Sequence, residues 1–185
     1  KYNTAVVASP IPSWTSFALL EKIIAQFGLR TDQDSFMGYM DVLNNYLVAN
    51  RHRVNTLIID DAQNLNKRGQ LELLRLAQNL ETPQHKLLNL VCFAQLEWMQ
   101  VLQAVPQFEQ RINMTFNLGP LAIEETRRLI AFRLRQAGAS SDTCPIFSDG
   151  AIDVIQAYSE GSPRVIVTLC RNALIMAAQL GQKTI

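Results

Sequence analysis

Two adjacent carboxylates, Asp60 and Asp61, directly follow the apolar run Leu57-Ile58-Ile59. Such a run is typical of a strand buried in a parallel sheet, and ligands bind at the carboxyl edge of sheets of this kind. Carboxylates at such an edge can hold a divalent cation such as Mg²⁺ through water, the role we expect for Asp60, or orient or polarise an attacking water, the role we expect for Asp61. The alternative is a buried strand followed by an acidic helix N-cap, a position where the helix dipole favours acids.

A polar residue also ends the next predicted strand along the chain, where Ala94 is followed by Gln95. Parallel strands present their carboxyl ends at one edge, so Gln95 should lie beside the acidic pair. From there its side chain can contact the ligand or the water that the acidic pair holds. The alternative is ordinary, because polar residues commonly end strands.

Two arginines, Arg111 and Arg164, are further candidates for binding an anionic ligand because of their positions next to predicted elements. Arg111 lies just before a predicted fourth strand, and its alternative role is a surface ion pair with Glu109 or Glu97. Arg164 follows Gly161-Ser162-Pro163 at the start of the last predicted helix, where proline is well tolerated. The alternative for Arg164 is a helix-start arginine without a partner.

The composition is that of a folded domain with a sizeable core. Of 185 residues, 48% are hydrophobic and 18% are charged, which excludes a disordered chain. The net charge of +1 gives no general support for nucleic-acid binding, although a local basic patch stays open. The widely spaced Cys92, Cys144 and Cys170 indicate reduced thiols rather than a disulfide framework or a zinc site. The reduced thiols lead us to expect a cytoplasmic protein. No apolar run reaches membrane-spanning length, so we expect no membrane segment in this chain.

Strand and helix patterns alternate along the first part of the chain, which predicts a parallel sheet with crossover helices. Predicted strands cover residues 4–9, 54–60 and 87–93, and residues 113–118 form either a fourth strand or an extended connector. Predicted helices cover residues 14–27, capped by Ser13, and residues 35–49, 67–80 and 97–105.

A break at Gly119-Pro120-Leu121 separates this region from one whose pattern is wholly helical. Helices are predicted over residues 123–137, 148–159 and 164–180. We therefore expect an α/β domain over residues 1–119 and a small helical domain over residues 120–185, with the break as the hinge.

Taken together, these motifs resemble those of AAA+ ATPases, and the likeness is greatest to the general secretion pathway protein A group. Similar ATPases also act as target-selection regulators of Tn7-like transposons (the TnsC type), and the sequence leaves both roles open. The residues that carry the resemblance are Leu57 to Leu65, Asn79-Leu80-Glu81-Thr82, Lys86-Leu87-Leu88, Gln95-Leu96-Glu97, Gln110-Arg111-Ile112, Leu118-Gly119-Pro120-Leu121 and Gly161-Ser162-Pro163-Arg164.

The resemblance implies an α/β P-loop NTPase core of the AAA+ type with a C-terminal helical lid. It implies ATP and Mg²⁺ as cofactors, with Asp60 and Asp61 as the Walker B acids and Gln95 as sensor 1. Arg111 would be the arginine finger that reaches the nucleotide of a neighbouring subunit, which implies a homo-oligomeric ring or filament. Arg164 would be sensor 2, which reads the γ-phosphate and couples the lid to the nucleotide state.

The sequence departs from the family pattern in two ways. The family has Asp-Glu in Walker B, whereas the second residue here is Asp61, which is one methylene shorter and would hold water less well. In addition, no Gly-x-x-x-x-Gly-Lys-Ser/Thr phosphate loop occurs in the sequence. We expect the chain to be a fragment that lacks the first strand, phosphate loop and first helix, to bind ATP poorly alone, and to expose a sheet edge.

Three functions compete at this point. The first is an ATP-driven switch for oligomer assembly, acting on a secretion-complex partner. The second is a DNA-associated regulator that recruits a transposase, and the third is a non-catalytic adaptor with a degenerate site. The second needs a basic surface, whose residues could equally form a solvated helix face beside Glu124 and Glu125. The candidate basic residues are Arg51, Arg53, Arg127, Arg128, Arg133 and Arg135.

Overall fold

The computed structural model describes residues 1–139 and 146–185, so Cys144 lies outside the described residues. The chain forms two compact units, Lys1–Thr115 and Phe116–Ile185. The sequence placed the division at Gly119, a few residues into the second unit.

The first unit is built on a three-stranded parallel sheet in the order β1-β2-β3, so the strand that leads to Asp60 is central. The α/β prediction with a parallel sheet is confirmed. The strands are β1 (Tyr2–Val7), β2 (Val54–Ile59) and β3 (Asn89–Cys92). The helices are α1 (Ser16–Gln26), α2 (Phe36–Ala49), α3 (Arg68–Gln78), α4 (Trp98–Gln103) and α5 (Pro106–Glu109), and a 3₁₀ turn covers Ala62–Asn64.

Alternate residues of the strands are buried, and the helices cover them. Leu57 and Ile59 of β2 are completely buried, as is Val7 of β1. In the register of the sheet Val7 pairs with Ile59, and Ile59 pairs with Cys92. The carboxyl ends of the strands are therefore level, and the residues that follow them share one edge. The buried helix residues of this core include Leu19, Leu20, Ile23, Leu43, Leu47, Leu71 and Leu74.

The start of α1 differs from its prediction. Thr15, rather than Ser13, is the N-cap, and its hydroxyl accepts a hydrogen bond from the Ala18 amide at 3.1 Å. The backbone carbonyl of Ser13 instead accepts a hydrogen bond from the Lys67 ammonium at 3.0 Å. Both are good capping residue types, so residue type alone did not decide between them.

No fourth strand forms over residues 113–118, so that alternative is wrong and the segment is an extended connector. Its alternating apolar side chains remain exposed, with Phe116 80% and Leu118 88% accessible. Alternation predicts a strand only where a neighbouring backbone is available for pairing. Among the described strands, β3 pairs with β2 alone, and this segment joins neither edge of the sheet.

The second unit is helical, as predicted. Its helices are α6 (Ile123–Gln136), α7 (Asp149–Ser159) and α8 (Pro163–Gln179). The hydroxyl of Ser148 caps α7 by accepting from the Ala151 amide, as its sequence position indicated. The three helices enclose a small core of Ile130, Phe147, Ile152, Ile155 and Ile166. Across residues 1–139 and 146–185, no helix combines the length and apolar character needed to cross a bilayer.

Candidate functional site

The turn that follows β2 is fastened to the ends of both neighbouring strands. The Asp60 amide donates to the Val7 carbonyl at 3.0 Å, and the Ala62 amide donates to the Phe93 carbonyl at 2.8 Å. The Phe93 amide in turn donates to the Ile59 carbonyl at 2.9 Å. The ladder thus continues past the strands and fixes the backbone on which the acidic pair stands.

Two residues at this edge adopt the left-handed backbone conformation that non-glycine residues seldom take. Asp61 has φ 52° and ψ 41°, and Ser9, which follows β1, has φ 48°. Each such conformation costs on the order of 1–3 kcal/mol and persists only where its surroundings enforce it. The two side chains meet, because the Ser9 hydroxyl donates to Oδ2 of Asp61 at 2.7 Å.

The other oxygen of Asp61 is also bound. Gln63 donates from Nε2 to Oδ1 of Asp61 at 3.1 Å, and its Oε1 accepts from the Gln95 amide at 3.2 Å. The bonds from Ser9 and then from Gln63 lower the pKa of Asp61, so this residue is ionised at neutral pH. Asp61 stands at the N-cap position of the 3₁₀ turn, as the alternative had it, but its side chain makes no capping hydrogen bond to the turn.

Asp60 is exposed, and its Oδ1 accepts from the Asp61 amide at 3.0 Å. Its other oxygen faces the edge of the sheet without a protein donor among the described residues. Within that part of the chain, no group of three or more potential metal ligands occurs. Mg²⁺ does not require such a group, because it is commonly held by one or two carboxylates together with water and phosphate oxygens. The acidic pair therefore fits a magnesium ion bound jointly with a phosphate ligand.

The structure brings Gln95 to the acidic pair, but through its backbone amide, while its side chain is exposed. The sequence analysis missed Ser9 and Gln63. The register of the strands would have indicated Ser9. Val7 pairs with Ile59, and two residues further along each strand stand Ser9 and Asp61 respectively. Gln63 stands two residues after Asp61 in the turn, and only the fold shows that it reaches the neighbouring strand end.

Arg111 lies just after α5 and is exposed. None of the ion pairs in the described part of the chain includes it, so the predicted pair with Glu109 or Glu97 is wrong. The positive charge of Arg111 nevertheless lowers the pKa of two other acids. The pKa of Glu72 is lowered first by its bond with Arg75 and also by Arg111, and that of Glu81 first by Lys86 and also by Arg111. The guanidinium is thus not committed to a partner within its own unit.

Arg164 belongs to the second unit and is exposed at the first turn of α8. It lines an open cavity of about 500 Å³ between α6 and α8. The walls are mainly apolar, and a second arginine contributes to them. The lining residues are Leu129, Phe132, Arg133, Pro163, Arg164, Val167 and Thr168.

The turn before Arg164 is joined to the Gly119-Pro120-Leu121 break within the second unit. The Leu121 amide donates to the Gly161 carbonyl at 2.9 Å, and Gln156 donates from Nε2 to the Leu121 carbonyl at 3.0 Å. Gly161 has φ +75°, and an added Cβ would lie 2.3 Å from the Leu121 carbonyl oxygen. Glycine is therefore required at this position both by its backbone conformation and by the close approach of a second backbone segment.

Gly161→Ala is expected to lower the stability of the second unit by on the order of 3 kcal/mol, because the strained φ adds to a backbone collision. The matched control is Gly138→Ala, whose φ is +90° but whose Cβ would meet no atom of the described residues within 4 Å. That variant should lose only about 1 kcal/mol. Urea unfolding followed by circular dichroism measures both, and equal losses would show that the contact with Leu121 contributes nothing.

Arg127, one of the candidate DNA-binding residues, is occupied by acids of its own unit. It forms ion pairs with Glu124, Asp149 and Asp153, and so joins α6 to α7. This arrangement matches the alternative of a charged, solvated helix face. The charge of Arg127 is therefore largely neutralised within its own unit, and this residue contributes little to a basic surface for DNA.

A comparison with known protein families agrees with this geometry. The sequence profile of the AAA domain family matches residues 3–102, which is more than half of the 185 residues and includes the acidic pair and Gln95. The chain therefore belongs to the AAA domain family and is an AAA-type ATPase domain.

One relative is the general secretion pathway protein A of Aeromonas hydrophila, with 36% identity over 179 residues. The match covers 94% of this chain and 32% of that protein, so the chain spans about a third of the relative's length. The predicted resemblance to this group is confirmed.

Solved structures share the fold at low identity. Cdc6p of Pyrobaculum aerophilum aligns with a TM-score of 0.72 and 17% identity, over 100% of this chain and 50% of that one. The ORC2 protein of Aeropyrum pernix, solved as ADPNP-ADP complexes, aligns with a TM-score of 0.66 and 17% identity, over 98% and 49%. These alignments confirm the predicted AAA+ fold class, a parallel-sheet core followed by a helical part.

Proposed function

We propose that this chain is the core of an ATP-hydrolysing switch that assembles into homo-oligomers and regulates a partner complex. The observation that carries the proposal is the arrangement of Asp60 and Asp61 at the carboxyl edge of the central strand. Asp60 is open to solvent there, and Asp61 is a carboxylate held by two donors. This is the edge at which open α/β sheets bind ligands.

Asp60 would hold Mg²⁺ through water, and the ion would supply charge neutralisation for the phosphates of ATP. Asp61 would accept a hydrogen bond from the attacking water and so orient it as the Walker B base. Gln95 would contact the same water or the γ-phosphate. The sequence contains no glycine-rich phosphate loop, so the roles assigned here are limited to these side chains and the two arginines.

Arg111 would act on the nucleotide of a neighbouring subunit, and its exposure without an ion pair in its own unit supports this. Arg164 would read the γ-phosphate from the helical lid, so that lid position follows nucleotide state. The role proposed for Arg111 requires a neighbouring copy of the chain, so a homo-oligomeric ring or filament follows from it.

The partner is proposed to belong to a secretion complex, because the chain is 36% identical to the general secretion pathway protein A of Aeromonas hydrophila. A transposase-recruiting regulator that binds DNA is the competing function. It is less favoured, because Arg127 is already bound to three acids and the net charge is only +1.

The test is ATP binding and particle mass, measured on the protein in its full natural length with and without Mg²⁺ and ATP. Magnesium-dependent binding of ATP with ATP-driven assembly is the expected result. The Arg111→Ala protein should still bind ATP but should not hydrolyse it, because the active site of its neighbour lacks the arginine. Absence of ATP binding from a stable monomer would overturn the proposal in favour of a non-catalytic adaptor. Binding to DNA that weakens steeply with salt would favour the transposition role instead.

A further inference from the structure

A chain of hydrogen bonds crosses the carboxyl edge of the whole sheet. Ser9, after β1, donates to Asp61, after β2, at 2.7 Å. Gln63 then donates to the other oxygen of Asp61 at 3.1 Å and accepts from the Gln95 amide, after β3, at 3.2 Å. Gln63 is the member that joins the acidic pair to the third strand.

The chemistry of its two partners suits an amide side chain. An ionised carboxylate only accepts hydrogen bonds, and a backbone amide only donates them. Gln63 must therefore donate at one end and accept at the other, and the amide orientation is fixed by both partners. Among side chains of this length, glutamate offers no donor and methionine offers no strong hydrogen-bonding group.

The backbone here does not depend on Gln63 for its position. The Ala62 amide already binds the Phe93 carbonyl at 2.8 Å, and the Trp98 indole donates to the Leu65 carbonyl at 3.1 Å. These two bonds join the same pair of segments on either side of Gln63. Gln63 is thus redundant for holding the segments together but not for the direction of the Asp61 carboxylate.

We infer that Gln63 is a positioning residue, which orients the Asp61 carboxylate for the attacking water and ties that orientation to the backbone at Gln95. This inference rests on the proposed ATPase function. Gln63 touches neither nucleotide nor water in this role and acts through Asp61. A displacement of Gln95 by a ligand at the end of β3 would be passed to Asp61 through a single side chain.

The test compares Gln63→Met and Gln63→Glu in the full-length protein, with ATP turnover and amide exchange at Gln95 as separate readouts. Both variants should lower kcat for ATP by about 10–100-fold with KM unchanged, as misplaced catalytic groups do. Amide exchange at Gln95 should become faster in Gln63→Met but stay slow in Gln63→Glu, because glutamate keeps an acceptor for that amide. The melting temperature should change little in either, since the flanking bonds remain.

Asn64→Ala is the matched control, because Asn64 lies in the same turn and its side chain has no hydrogen-bond partner among the described residues. It should keep both kcat and Gln95 exchange. A Gln63→Met protein with normal kcat, beside an inactive Asp61→Asn protein, would overturn the positioning role and leave the ATPase proposal intact. If Asp61→Asn is itself fully active, the proposed function fails, and the role of Gln63 fails with it.

Discussion

Asp61→Asn is expected to lower the rate of ATP hydrolysis by about 100-fold or more, with ATP affinity nearly unchanged. The neutral amide of asparagine cannot accept a proton from the attacking water. Its NH₂ group would also face either Ser9 or Gln63, and both of these side chains already donate to Asp61, so one hydrogen bond would be lost. Turnover under saturating ATP and a separate equilibrium binding measurement, both on the full-length protein, distinguish this loss from a loss of binding.

Asp32→Asn serves as the control for this substitution, because Asp32 is exposed and is in no ion pair among the described residues. Asp60→Asn should differ from both, since it removes the carboxylate proposed to hold Mg²⁺ through water and should raise the Mg²⁺ concentration needed for ATP binding. An Asp61→Asn protein that hydrolyses ATP at the normal rate would show that this acid is not the base.

Trp98→Ala is expected to lower the free energy of unfolding of the first unit by about 3–5 kcal/mol, the usual cost of emptying a large aromatic site in a core. Trp98 is 6% exposed, packs edge-on against Phe108 with ring centroids 6.4 Å apart, and donates from its indole nitrogen to the Leu65 carbonyl at 3.1 Å. Truncation therefore leaves both a cavity and an unpaired carbonyl. Urea unfolding followed by far-ultraviolet circular dichroism measures the change.

Trp98→Phe separates the two contributions, because the ring is largely kept while the hydrogen bond is lost. It should cost roughly 1–3 kcal/mol, the penalty for a buried carbonyl without a partner. Leu96→Ala, two residues away and 68% exposed, should stay within about 0.5 kcal/mol of the parent. A Trp98→Ala protein as stable as the Leu96→Ala protein would mean that α4 does not fasten the turn after β2.

The fold class followed from local patterns in the sequence. Apolar runs such as Leu57-Ile58-Ile59 are typical of strands in parallel sheets, and in β2 Leu57 and Ile59 are buried while Ile58 is partly buried. The change to a wholly helical pattern after Gly119 was equally local. Asp60 and Asp61 could be singled out because polar residues that end a buried strand must emerge at one edge.

Other features depended on which segments meet in space. The alternation over residues 113–118 had no local flaw, yet no strand forms, because pairing needs a neighbouring backbone. Ser13 and Thr15 are both capping residue types, and only the structure shows that Thr15 caps α1.

By itself, the sequence determined the alternation of strands and helices followed by a helical region, and the acidic pair at the end of the central strand, because these depend on residue type and spacing along the backbone. The family followed from the resemblance of its motifs to those of known ATPases. Only the tertiary structure decided that Ser9, Gln63 and the Gln95 amide enclose Asp61, and that Leu121 lies against Gly161. Such contacts join residues far apart in the chain, and their hydrogen bonds depend on the register and turn geometry that folding produces.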